Sequence, residues 1–246
     1  MTRKYSINAL RRIRRLDALA VLLCCATPGL APAAGQQESP PPPPPPPSLE
    51  QLASQASLVA VAQVRDTDYV YAREFPTGGT AYLGVLIAYK LTRPEEDIVE
   101  VYEEGLHEHE CYFDNPTVFE EGRRHLVFLR DNPEVEGQYL GLPPGCALEL
   151  LVTDDNRYAL LYPPKGMPIA DDLGALARPL AFRDAYATVS NEDLSVDERD
   201  ALLASGMLVE LDDGRFRYTH GIPISEIRPL LGPENLTLQR ELRRQP

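Results

Sequence analysis

The segment VEVYEEGLHEHECYFDNPTVFEEGRRHLVFL, Val99 to Leu129, decides the fold. It begins inside an alternating run, Ile98 to Tyr102. Val99 and Val101 fall on one face there, and Ile98, Glu100 and Tyr102 on the other, as in a half-buried strand. It ends on a second β-forming run, His125 to Leu129. Between the two lies the chain's one concentrated set of candidate ligands, His107, Glu108, His109, Glu110 and Cys111.

Working outward, Leu58 to Val64 reads as a short buried strand, and Ala81 to Leu91 as the next one. The length of the latter also suits a helix, but its Tyr, Val and Ile content and interior Gly84 favour a strand. Between them, Asp66 to Gly79 is polar and contains Pro76 and Gly78-Gly79, so it is either a loop or a hairpin with an exposed arm. Downstream, Tyr139 to Leu142, Leu148 to Thr153 and Tyr158 to Tyr162 are further short strands separated by Pro, Gly and Asp-Asn turns. Short strands without intervening helices predict an antiparallel barrel or sandwich. Upstream, Ser48 and Gln51 form a capping-box pattern opening a short helix that carries Leu49 and Leu52.

From Pro163 the pattern changes. Pro163 to Pro168 reads as a linker, and Ile169 to Val189 as a helix in two pieces broken at Pro179. Ser195 and Glu198 form a second capping-box pattern, opening a helix through Leu203 that Gly206 terminates. Met207 to Leu211 and Arg215 to Thr219 flank Asp212-Asp213-Gly214, a hairpin signal. His220 reads as a turn residue, Ile224 to Leu231 as a short helix, and Asn235 to Pro246 as an amphipathic one. The expected fold is a mainly β domain over residues 49–162, an antiparallel barrel, followed by a small α+β domain over 163–246.

A resemblance runs through the first of these domains. The order Ala56-Ser57-Leu58-Val59-Ala60-Val61-Ala62-Gln63-Val64, a strand ending Tyr89-Lys90-Leu91, Ile98-Val99-Glu100-Val101, a cysteine, then Phe119-Glu120-Glu121-Gly122-Arg123-Arg124-His125-Leu126-Val127-Phe128-Leu129 resembles the netrin module. It is similar to the tissue-inhibitor-of-metalloproteinases type of OB barrel in its exported bacterial versions. The likeness covers roughly residues 50 to 162, and it implies an OB-type barrel with a protein-contacting role. Metalloproteinase inhibition in that family uses a cysteine at the mature N-terminus, where this chain carries prolines, so that activity is not implied.

The N-terminus reads as an export signal. Arg3, Lys4, Arg11, Arg12, Arg14 and Arg15 precede an apolar run from Ala18 to Ala26, and Ala31-Pro32-Ala33 supplies the small residues of a cleavage site. The apolar run is about half of what a membrane-spanning helix needs. Arg11-Arg12 admits twin-arginine export, and Cys24-Cys25 admits lipidation, although Leu23 is bulky for a lipoprotein cleavage site. Residues 34–48 form a proline-rich spacer, with proline unbroken from Pro40 to Pro47, a polyproline II rod of about 25 Å.

The chain has 24 basic and 37 acidic residues and a net charge of −13. Cleavage after Ala33 leaves 18 basic and 36 acidic residues, a net charge near −18. Such a surface repels nucleic acid and anionic lipid. Cys111 and Cys146 are then the only cysteines, and in an oxidising compartment they are expected to pair as a disulfide; the bland reading is two separate buried thiols.

If residues 107–111 are extended, His107, His109 and Cys111 share one face. Two imidazoles and a thiolate suit zinc or copper, with His125 on the neighbouring strand as a further ligand. A disulfide at Cys111 would leave only His107, His109 and His125 or a carboxylate. A Gly-x-Ser-x-Gly elbow, a His-Glu-x-x-His helix, a phosphate-cradling loop and a dinucleotide fingerprint are all lacking. The expectation is therefore a periplasmic or extracellular, non-catalytic binding module with envelope-protein partners. A metal-binding protein using His107 and His109 is the alternative, and a hydrolase with an unrecognised site is the third reading.

Overall fold

Strand β4 (Arg124–Asp131) is buried on both faces from His125 to Leu129. Such a strand needs apolar partners on either side and backbone partners along both edges. It has them. In the computed structural model, which describes residues 45–72, 75–94, 96–103, 119–143, 145–170 and 172–232, β4 pairs with three other strands. The described residues belong to one compact unit, Pro44–Pro246. The segment expected to be an export signal, most of the proline run, residues 104–118 and the tail from residue 233 lie outside them.

Ser48 caps α1 (Leu49–Gln55): its side chain accepts from the Gln51 amide, and Gln51 Oε1 accepts from the Ser48 amide at 2.9 Å. The capping box forms as expected. Five strands then close a barrel: β1 (Leu58–Ala72), β2 (Phe75–Leu91), β3 (Ile98–Glu103), β4 and β5 (Gln138–Gly141). The order is β1-β2-β3-β5-β4, and β4 returns to β1 through Leu58↔Leu129 to Gln63↔Arg124. This arrangement is compatible with an OB-like barrel. The expected antiparallel barrel is corrected to a mixed one, because β3 and β5 run parallel. An odd number of strands cannot alternate direction all the way round a closed ring, so one parallel pair is unavoidable.

The sheet then grows off the free half of β4. β6 (Ala147–Val152) pairs with Arg124–Val127, and β7 (Tyr158–Leu161) with β6. β8 (Arg178–Pro179), β9 (Thr188–Val189), α2 (Val196–Ala204), β10 (Leu208–Glu210), β11 (Phe216–Tyr218), β12 (His220–Pro223) and α3 (Ile224–Ile227) follow. β12 crosses back to pair with β7, so the main sheet continues past residue 162 into the C-terminal segment. β9, β11 and β10 make a separate three-stranded sheet. The Asp212-Asp213-Gly214 hairpin is present, with Gly214 at φ 77°.

Three of the local readings change. Among the described residues of Ile169 to Val189 there is no α-helix; they hold two 3-10 turns, Gly174–Leu176 and Ala185–Ala187, and β8 and β9. Its backbone is used for β-type bonds instead, Leu180 N to Thr219 O and Arg183 N to Val152 O. Pro179 could not have continued a helix in any case. His220 stands in β12 opposite Pro179, not in a turn. Pro163 to Pro168 is held alongside β6 by the Glu149 amide bonding to Lys165 O at 2.9 Å. Gly166 makes that approach possible, since a Cβ there would lie against Ala147 O at φ 112°.

Three cores result. Val127 and Leu129 face the barrel interior with Leu58, Ala60, Leu83, Val99, Val101 and Phe119. Leu126 and Phe128 face outward to α1, Leu148, Leu160, Ile222 and Leu231. Leu151, Ala159 and Leu161, on the far side of β6 and β7, meet Phe182, Leu202, Phe216 and Tyr218. Phe128 is fully buried in the outer core. Phe128→Ala is expected to cost about 3–5 kcal/mol in urea unfolding, while Val209→Ala, at an exposed position, should stay within about 0.5 kcal/mol of the wild type.

Candidate functional site

The polar side chains gather at two places, both tied to the turn Phe119–Arg123 that leads into β4. At the first, Arg123 Nη1 donates to Glu149 Oε1 at 2.6 Å and Nε to Glu120 Oε2 at 2.5 Å. The guanidinium also stacks over the Tyr186 ring at 4.5 Å. Gly122, at φ 84°, lets the turn pass under Tyr186, whose hydroxyl donates to Glu121 O at 3.2 Å. Asp184 anchors the Tyr186 segment from the other side. It accepts from the Val152 amide at 3.1 Å and pairs with Arg124 at 3.4 Å.

Arg123, Glu149 and Tyr186, with Lys165, Thr188, Val189, Asp193 and Tyr218, line a pocket of about 240 Å³. Burial pushes the Glu149 carboxyl up, against the pull of Arg123 and Lys165. Burial opposes the charge of Arg123, but Glu149 and Glu120 outweigh it and hold the guanidinium above its usual range. Lys165 lies 5.2 Å from the Tyr218 ring centre and 3.6 Å from Glu198. The Tyr218 hydroxyl is buried, with the Lys165 ammonium as its polar neighbour. Burial raises its pKa, and Lys165 pulls the other way. Asp193 accepts from the Ser190 amide at 2.6 Å, and that contact keeps its carboxyl below the usual range.

The second place is the root of the long β1–β2 hairpin. The hairpin runs past the barrel as an arm paired to Ala72↔Phe75, which settles the choice between loop and exposed hairpin. Val70 is 66 % exposed on it and Tyr71 57 %. Tyr69 points back instead: its hydroxyl donates to Glu103 Oε1 at 3.2 Å and accepts from the Phe119 amide at 3.2 Å. Burial drives the Tyr69 pKa far up and the Glu103 carboxyl to about 7.

Of the residues singled out from sequence, His107, His109 and Cys111 lie outside the described residues. Cys146 is buried in the barrel core. His125 is 6 % exposed and meets the Phe119 ring edge-on at 5.2 Å between centroids. Burial, with Arg123 adding to it, lowers its pKa to about 3, so the imidazole is neutral. Neither ring nitrogen has a hydrogen-bond partner among the described residues, and no group of three or more His, Cys, Asp or Glu among them is placed to hold a metal ion. Sequence reading missed the pocket, whose walls come from residues 123, 149, 165, 186, 193 and 218. Glu149 was the available signal, a lone charge inside the apolar run Ala147–Val152.

His125 and Glu103 give opposite pH slopes. The folded state holds His125 far below its ordinary value, so its contribution to stability falls as pH drops from about 6.5 toward 3. It holds Glu103 above its ordinary value, so that contribution falls as pH rises from about 4.5 to 7. Glu103→Gln removes only the second. The stability difference, wild type minus variant, should decline by about 3 kcal/mol across pH 4.5 to 7 in urea titrations and then level off. A pH-independent difference would contradict the burial of Glu103. No protein-family model, curated protein or solved structure matches the chain at a significant level, so its chemistry is read from its own residues.

Proposed function

We propose that the protein is an exported, non-catalytic interaction module of netrin-like OB type, which contacts an envelope protein through the β1–β2 arm. One observation carries this reading: the arm holds Val70 and Tyr71 in the open while Tyr69, between them and the barrel, is bonded to Glu103 and to the Phe119 amide. The arm is thus braced at its root and apolar beyond it. Large apolar side chains on a braced projection suit a protein surface, since aromatic anchors carry much of the energy of protein contacts. Its flanking Asp66 and Asp68, on a chain of net charge −13, disfavour nucleic acid and anionic lipid as partners. Among the described residues no helix is long and apolar enough to cross a membrane.

A photoreactive amino acid placed at position 71 in the producing cell should give a discrete cross-linked adduct. The same group at Val196, exposed on α2, should not. Identical adducts from both positions, or none from position 71, would count against the arm.

One observation favours a second reading, a zinc or copper site using His107 and His109. His125 is held as neutral imidazole, the ligating form, and neither nitrogen has a hydrogen-bond partner among the described residues. Calorimetric titration should then show zinc or copper binding tighter than micromolar, weakened by His109→Ala. Equal affinity in the variant sinks this reading.

A further inference from the structure

We infer that the outer edge of β1 in the arm, Arg65 to Ala72, takes up an extended segment of the partner protein as a further strand, and that this segment alternates basic and apolar residues. The inference rests on the reading of the arm as a protein contact and names the chemistry of what the arm meets.

The backbone defines the place. Along one side β1 is paired with β2 as far as Ala72↔Phe75. Along the other side β4 accompanies it from Leu58↔Leu129 to Gln63↔Arg124, and Val64 ends that run by donating to Arg123 O and accepting from the Gly122 amide. From Arg65 onward no strand among the described residues lies on that side. The Thr67 amide turns to the neighbouring Asp66 carboxylate at 2.9 Å, a local bond that an arriving strand can replace. An open edge of this kind is a template for one more strand, in which main-chain bonds supply affinity and alternate side chains supply selectivity. Tyr69, bonded to Glu103 and to the Phe119 amide, already holds the edge in place, which lowers the ordering cost of binding.

The side chains define the partner. Asp66, Asp68 and Val70 stand opposite Tyr82, Thr80 and Gly78, and so share one face of the arm. Both acids are exposed, and neither has an ion-pair partner among the described residues. Arg65, next in the chain, lays its guanidinium over Gly84 of β2, away from the open edge. A strand that sets lysine or arginine opposite Asp66 and Asp68 answers both charges, since facing side chains on neighbouring strands interact directly. On the other face the exposed Tyr71 favours a β-branched or aromatic neighbour. A second copy of this chain fits less well. Antiparallel pairing about Asp68 sets Asp68 against its own counterpart, and one step back along the strand sets Asp66 against Asp68, in a protein of net charge −13.

A peptide probe and the photoreactive group at position 71 test this together. A capped fluorescent peptide of alternating lysine and valine, about as long as the open edge, should bind the full chain saturably in anisotropy titrations. The same peptide methylated at every backbone nitrogen keeps its charges and loses its strand hydrogen bonds, and it should bind at least about tenfold more weakly. A peptide of alternating glutamate and valine should not bind. Asp66→Lys combined with Asp68→Lys, checked for unchanged thermal melting, should abolish both peptide binding and the adduct formed from position 71 in the producing cell. Asp66→Asn with Asp68→Asn serves if the reversal fails to fold. Failure of the lysine and valine peptide to saturate, equal binding of its methylated form, or an adduct that survives the charge changes overturns the inference and leaves the arm as a protein contact. An adduct joining two copies of this chain assigns the edge to a second copy and overturns it as well. Absence of any adduct from position 71 removes the reading of the arm, and the inference falls with it.

Discussion

The double burial of β4 is the constraint on which the rest depends. A strand whose five central side chains are all hidden must have an apolar layer on each face. Val127 and Leu129 draw the barrel around themselves; Leu126 and Phe128 require α1 and the C-terminal elements to cover the outside. Its edges must be bonded too, because unpaired backbone groups in such a place are costly. β1 takes one edge along its whole apolar length, and β5 and β6 divide the other between them. That division makes the molecule more than a barrel, since the half of β4 that β5 leaves uncovered is where the β6-β7-β12 extension starts.

The extension creates a seam, and the charges lie in the seam. Where β6 leaves the barrel wall, Glu149 comes up half-buried, and the segment after β7 returns to lie beside it through the Glu149–Lys165 backbone bond. A carboxylate in that position needs a partner, and Arg123 supplies one from the turn before β4. Arg124, next in sequence, points to Asp184 and so fixes the far wall. Two adjacent arginines thus reach outward through different acids, Arg123 to β6 and Arg124 to the C-terminal segment. Exposed ion pairs such as Arg215–Asp213 contribute little by comparison.

Much of the frame was legible because it rests on local rules. The Ser48 capping box, the alternation of Ile98 to Tyr102, the Asp-Asp-Gly hairpin and the apolar strands each announce themselves within a few residues. Two kinds of information were not local. The parallel pairing of β3 with β5 follows from closing a ring of five, which no single strand encodes. The 169–189 segment has helix-compatible stretches, but its backbone is claimed by Val152 and Thr219, residues distant in sequence, and that tertiary demand outweighs weak propensity. The pocket was illegible for the same reason, being assembled from six separated stretches. The histidine reading was drawn to a dense local cluster, His107 to Cys111, outside the described residues, and the added His125 is buried against Phe119 of the barrel core.

The turn Phe119–Arg123 connects the two polar places without belonging wholly to either. Its first residue gives its amide to Tyr69 and its ring to His125, which ties it to the root of the arm and to the barrel interior. Its last residue gives its side chain to Glu149 and its backbone carbonyl to the Val64 amide, which ties it to the pocket and to β1. Between them Gly122 adopts a positive φ beneath the Tyr186 hydroxyl, where a Cβ would approach to 2.9 Å. The turn is held at both ends, and only glycine fits the close approach at its fourth position. The root of the arm and the pocket wall are thus built on the two ends of one turn. The buried Tyr69–Glu103 pair and the Arg123–Glu149 pair therefore stand four residues apart along the same turn.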